Sequence, residues 1–88
     1  MVLRKEIIVT SLDGGFVAVA AEEASEYFHG MIKLNETGAF ITECFKTPSS
    51  FEEVAKLVCE KYNVEYEKAY NDVKKIADAY IGAGLLLE

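Results

Sequence analysis

Eighty-eight residues with fifteen acidic and nine basic side chains, a net charge of −6, read as one small acidic domain spanning residues 1–88. With 51% apolar and 27% charged residues and no low-complexity tract, the composition is that of a folded globular chain and argues against intrinsic disorder. A chain of this size buries roughly 60–65% of the surface its unfolded form exposes, so a modest core is expected. Phosphate binding needs clustered cations. Here Lys56, Lys61, Lys68, Lys74 and Lys75 all have acidic neighbours, which argues against a nucleic-acid partner.

Glu6 to Leu12 is rich in β-branched residues and reads as a strand. Asp13-Gly14-Gly15 supplies residues tolerant of positive φ, and Phe16 to Ala21 reads as the returning strand of a hairpin. Glu22-Glu23-Ala24-Ser25-Glu26 is an acidic connector, read as a solvated loop. Tyr27-Phe28-His29-Gly30 leads into a short third strand, Met31 to Leu34, expected at a sheet edge.

Asn35 then caps a helix running from about Glu36 to Phe45, with Glu36 where the helix dipole favours negative charge. Lys46-Thr47-Pro48-Ser49 breaks it. Ser50-Phe51-Glu52-Glu53 is a capping box opening a second helix, whose apolar stripe is Phe51, Val54, Ala55, Val58 and Tyr62. Asn63-Val64 is a junction. A third helix is expected from about Glu65 to Ala83, with a stripe through Tyr66, Ala69, Tyr70, Val73, Ile76, Ala77, Tyr80 and Ile81. Gly82 and Gly84 suit its C-terminal cap, and Leu85-Leu86-Leu87 is too apolar to be free of the domain. Three strands followed by three helices predict an α+β, winged-helix-like fold: a three-stranded antiparallel sheet, then three helices.

No catalytic constellation is present. His29 is the single histidine and reads as a turn or surface residue rather than a base or ligand. Cys44 and Cys59 do not form a CxxC motif and read as buried residues or free thiols of a reducing compartment. No GxGxxG, GxxxxGK or GxSxG pattern occurs, and Glu52-Glu53 is better explained by capping than as a carboxylate pair. The acidic connector lacks the ligand spacing of a calcium loop. No metal site and no cofactor are expected. There is no signal peptide and no membrane-length apolar run, so the default location is the cytoplasm. Tyr66, Tyr70 and Tyr80 share a helix face, suited to a core with hydroxyls at its rim or to an interface.

The run Leu34-Asn35-Glu36-Thr37-Gly38-Ala39…Ile41 resembles the LN-x-x-(A/G)-A-x-I signature of PqqD-like proteins, also called RiPP recognition elements (RiPP: ribosomally made, post-translationally modified peptide). The resemblance continues through Ser50-Phe51-Glu52-Glu53-Val54-Ala55, Tyr62-Asn63-Val64, Asp72-Val73 and Gly84-Leu85-Leu86, and covers about Ile7 to Leu87. The chain departs from the family pattern in Lys46-Thr47-Pro48, in its longer acidic connector, and in Thr42, where a large apolar residue is common. The resemblance implies a peptide chaperone without chemistry of its own. It would bind the leader segment of a precursor peptide and present it to a modifying enzyme, often a radical S-adenosylmethionine maturase. The leader would add as a strand to the edge formed by Met31, Ile32, Lys33 and Leu34, in a cleft against the third helix. Tyr70, Val73, Lys74 and Ala77 are the residues expected on that helix. The rival readings are a winged-helix DNA-binding regulator, disfavoured because Lys68, Lys74 and Lys75 are offset by Glu65, Glu67, Asp72 and Asp78, and a small enzyme, disfavoured by the missing nucleophile–base pair.

Overall fold

Asp13 and Gly14 fix the first reversal of the chain. Both have positive φ, 48° and 80°, the geometry of a two-residue type I′ hairpin loop. In a computed structural model, which describes residues 1–4, 7–20 and 31–87, this loop joins β2 (Ile7–Leu12) to β3 (Gly15–Ala20). A short β1 (Val2–Leu3) precedes them, and β4 (Met31–Leu34) follows. Then come α1 (Glu36–Cys44), α2 (Phe51–Tyr62), α3 (Tyr66–Gly82) and β5 (Leu86–Leu87). The acidic connector and Tyr27-Phe28-His29-Gly30 lie outside the described residues.

The antiparallel sheet has the order β2-β3-β4, so the third predicted strand is an edge strand, and the α+β arrangement of three strands followed by three helices is the one expected. Ile7 pairs with Ala20 and Val9 with Ala18; Ala18 pairs with Ile32 and Phe16 with Leu34. Alternation then sends Ile7, Val9, Phe16, Ala18, Ile32 and Leu34 to the helical layer, where they join the core. Ile41, Phe45, Val54, Ala69, Val73 and Ala77 complete that core from the helices, each with no exposed surface.

The capping signals act as read. Asn35 Oδ1 accepts from the Gly38 N–H at 2.8 Å. In the capping box Ser50 Oγ accepts from the Glu53 N–H at 3.1 Å, while Glu53 Oε1 accepts from the Ser50 N–H at 2.9 Å. The bond from the Ser50 backbone, then that with its side chain, lowers the Glu53 carboxyl below its ordinary value. A carboxylate held low in the folded state adds stability above its unfolded pKa and loses it as pH falls through the folded one. Glu53→Gln should therefore flatten the acid side of the stability–pH curve, read as thermal midpoints across the carboxylate range. Ser50→Ala should cost about 1 kcal/mol by denaturant titration.

At the other end of the helical layer the two candidate glycines separate. Gly82 stays within α3, whereas Gly84 takes φ 74°. The Gly84 N–H then donates to Ile81 O at 3.0 Å and the Leu85 N–H to Tyr80 O at 2.8 Å, a Schellman cap that turns Leu85 inward to zero exposure. The chain continues into β5, which pairs Leu86 with Leu3 and Leu87 with Val2. This second, two-stranded sheet was not foreseen from sequence, because a two-residue strand has no periodicity to read. The Arg4 N–H extends the pairing by donating to Leu85 O at 2.9 Å, and the Leu3 N–H ties the small sheet to the end of α1 by donating to Phe45 O at 2.7 Å.

Thr42, the polar departure from the family pattern, is fully buried. Its hydroxyl donates to Gly38 O at 2.8 Å and lies 2.8 Å from Tyr80 Oη. Threonine has one hydroxyl proton, so Tyr80 must be the donor in the second bond. A small polar residue here satisfies a large buried phenol, whose pKa burial pushes upward. Thr42→Val should leave the Tyr80 hydroxyl unpaired and cost about 1–3 kcal/mol. Adding Tyr80→Phe should recover part of that loss, as a double-mutant cycle by urea denaturation would measure.

Candidate peptide-binding edge

The hairpin loop also decides which backbone groups β4 leaves free. In a two-residue loop the flanking residues, Leu12 and Gly15, form a hydrogen-bonded pair. Bonded pairs recur every second residue, so Val17 and Val19 also bond to β2, and Phe16 and Ala18 turn their N–H and C=O groups toward β4. Their partners Leu34 and Ile32 therefore bond inward. Met31 and Lys33 direct their N–H and C=O groups away from β3, along the open edge. This edge is a template for a further strand.

Side chains on β4 alternate in the same way. Met31 and Lys33 are exposed on the outer face of the sheet, while Ile32 is half-buried and Leu34 is 6% exposed on the inner face. Leu34 meets α1 and α3 around Gly38. A Cβ on Gly38 would stand 3.2 Å from Leu34 Cδ2, 3.3 Å from Ile76 Cδ1 and 3.3 Å from Asn35 Oδ1. Gly38 is thus the close approach that lets Ile76 of α3 sit beside the end of β4.

The expected helix residues fall in different places. Val73 and Ala77 have no exposed surface and lie behind the groove wall in the core. Tyr70 is half-buried and stacks edgewise on Phe51, with ring centroids 6.3 Å apart, and lies 6.1 Å from the Tyr66 ring. Lys74 is exposed. The face of α3 that carries Ile76 also carries Asp72, four residues before it, and Ala79, three residues after it, neither of them fully buried. Sequence reading placed Ile76 on the apolar stripe but did not single it out. The signal available was Gly38 in the Leu34-Asn35-Glu36-Thr37-Gly38 run, which marks where a neighbouring element comes close.

Past the end of β4 the groove opens into a cavity of about 330 Å³ among α1, α2 and α3. Gly38, Ile41, Val58, Val64 and Ile76 give it an apolar floor, and Lys68, Asp72 and Lys75 stand at its lining. Lys68 Nζ pairs with Asp72 at 3.5 Å. The Tyr62 hydroxyl is enclosed here without a well-formed hydrogen bond; burial first, then the Glu36 carboxylate, raises its pKa. Among the described residues no group of His, Cys, Asp and Glu side chains could hold a metal ion, and no helix is long and apolar enough to cross a membrane. Cys44 and Cys59 are free thiols.

An open strand edge beside a helix is the arrangement to which an extended segment can add as a further strand. The family described as Coenzyme PQQ synthesis protein D (PqqD) matches residues 6–86, and the chain belongs to that family. Two solved structures are similar over 98% of this chain. One, TbiB1 in complex with the TbiA(beta) leader peptide, is 17% identical with a TM-score of 0.71 and is covered over 94% of its length. The other, lasso peptide synthetase B1 complexed with the leader peptide, is 27% identical with a TM-score of 0.69 and is covered over 95%. The first likeness is one of fold. A search of curated proteins finds no match.

Proposed function

We propose that this domain binds the leader segment of a ribosomally made precursor peptide by strand addition to β4 and presents the peptide to a modifying enzyme, a radical S-adenosylmethionine maturase. The observation that carries the reading is the free edge of Met31 and Lys33 beside Ile76, in a PqqD-family chain similar to a protein complexed with its leader. Ile32 and Leu34 hold the edge to the sheet, and Val73 and Ala77 fix α3 behind it. Tyr70 and Lys74 lie farther round α3 and serve its packing and charge. In this role the domain performs no chemistry and works in the cytoplasm; two free thiols suit a reducing compartment.

Backbone pairing explains why such a domain needs little sequence from its partner: the edge supplies affinity, and the groove supplies choice. The test is an amide-shift titration of the isotope-labelled chain with the leader of a precursor encoded beside it, with duplex DNA as comparison. Leader should perturb residues 31–35 and 76 and lose much less affinity than DNA as salt rises. DNA should bind weakly and be released by salt, since it would rest on a few phosphate contacts. Salt-resistant, sequence-specific duplex binding without any leader binding would overturn the reading in favour of a winged-helix regulator.

A further inference from the structure

Resting on the strand-addition reading, we infer that the segment this edge accepts carries a single carboxylate side chain opposite Lys33, flanked on both sides by apolar side chains that face Ile32 and Ile76. The parity of β4 gives the pattern. A strand laid along the open edge has the same alternation as β4 itself. Its residue opposite Lys33 lies on the outer face of the sheet, and the residues before and after it turn to the inner face, beside Ile32 and the Leu34–Gly38–Ile76 contact. Those inner positions lie beside the apolar side chains of Ile32, Leu34 and Ile76, so uncharged apolar side chains fit there.

The outer position is governed by Lys33. It is exposed and has no ion-pair partner among the described residues. Three other lysines are engaged: Lys46 with Glu43 at 3.1 Å, Lys68 with Asp72, and Lys61 over the Phe40 and Tyr62 rings at 5.3 and 5.6 Å. Asp13 lines the same shallow hollow as Lys33 but forms no ion pair with it. Directly opposite residues of neighbouring strands have their Cβ atoms about 4.5–5.5 Å apart, within reach of an ammonium and a carboxylate. The chain's net charge of −6 disfavours further carboxylates on the incoming strand away from Lys33.

Selection of short random peptides displayed on phage, against the immobilised full chain, reads this pattern without knowledge of the natural leader. Enriched peptides should share apolar–acidic–apolar triplets and shift the amides of residues 31–34. Selection on Lys33→Glu should replace the central acid with Lys or Arg and keep the apolar flanks. An acid-centred peptide should lose about tenfold in affinity on that charge reversal. Ile76→Ala should move one flank toward larger apolar side chains. Peptides that shift residues 31–34 but whose central residue ignores Lys33→Glu would overturn this inference and leave strand addition standing. Enriched peptides that leave residues 31–34 unshifted would overturn strand addition itself, and this inference with it.

Discussion

Lys33→Pro is expected to weaken leader binding about 30- to 150-fold while leaving the domain folded. Proline removes the outward N–H of Lys33, which a bound strand would use, and leaves the leader carbonyl that it served without a donor. A lost hydrogen bond with its partner left unsatisfied is worth about 2–3 kcal/mol, which gives that range. The sheet should tolerate the change because β4 is an edge strand and the Lys33 N–H does not bond to β3. Ile32→Pro is the contrast. Ile32 bonds inward to Ala18, so proline there should open the β3–β4 ladder and destabilise the fold. Fluorescence anisotropy with labelled leader and far-ultraviolet circular dichroism on both variants separate the two effects. A folded Lys33→Pro chain that binds leader as tightly as the parent would show that the leader uses another surface.

The second large effect concerns the core. Tyr80→Ala should cost about 4 kcal/mol in urea denaturation, from the cavity left by a fully buried ring and from the lost bond to Thr42. A domain of this size has a total stability of about 4–13 kcal/mol, so this one change removes a large share of it. Tyr66→Ala, on the same predicted stripe, should leave the unfolding midpoint near that of the parent, because Tyr66 is 46% exposed. If both variants lost stability equally, Tyr66 would have to be packed against something the monomer does not provide.

Those two tyrosines show what periodicity can and cannot say. The spacing of Tyr66, Tyr70 and Tyr80 places them on neighbouring parts of one helix face, but α2 and the C-terminal strand cover only part of α3. Tyr80 lies where Thr42 and the Schellman turn close over it, whereas Tyr66 stands at the open N-terminal end. Similarly Ile81 belongs to the stripe by sequence and is 42% exposed. A helical wheel gives an angle; how wide a sector is buried depends on the partners.

The local signals were legible because each is an interaction within a few residues. The positive-φ pair at Asp13-Gly14, the Asn35 cap, the Ser50–Glu53 box and the stop at Lys46-Thr47-Pro48 all act over one turn or loop, and each stands where the sequence put it. The order of elements followed from them, and with it the α+β class and the edge position of Met31 to Leu34. Family membership was legible from the order and spacing of short runs, though no single run is specific.

What the tertiary structure decided is long-range. The pairing of Val2-Leu3 with Leu86-Leu87 joins the two ends of the described chain, and no local pattern specifies it. The buried role of Thr42 needed Tyr80, thirty-eight positions away. The placing of Ile76 beside Gly38 and Leu34, with Val73 and Ala77 sealed in the core, depends on the rotation of α3. One residue of helix turns the face by about 100°, and long-range contacts set that angle, among them Leu34, Gly38 and Ile76 and the bond between Thr42 and Tyr80. The outward parity of Met31 and Lys33 lies between the two cases. The hairpin loop that starts the alternation is written in the sequence, but its transfer across β3 to β4 needed the register of all three strands, which side-chain packing on the helical layer fixes.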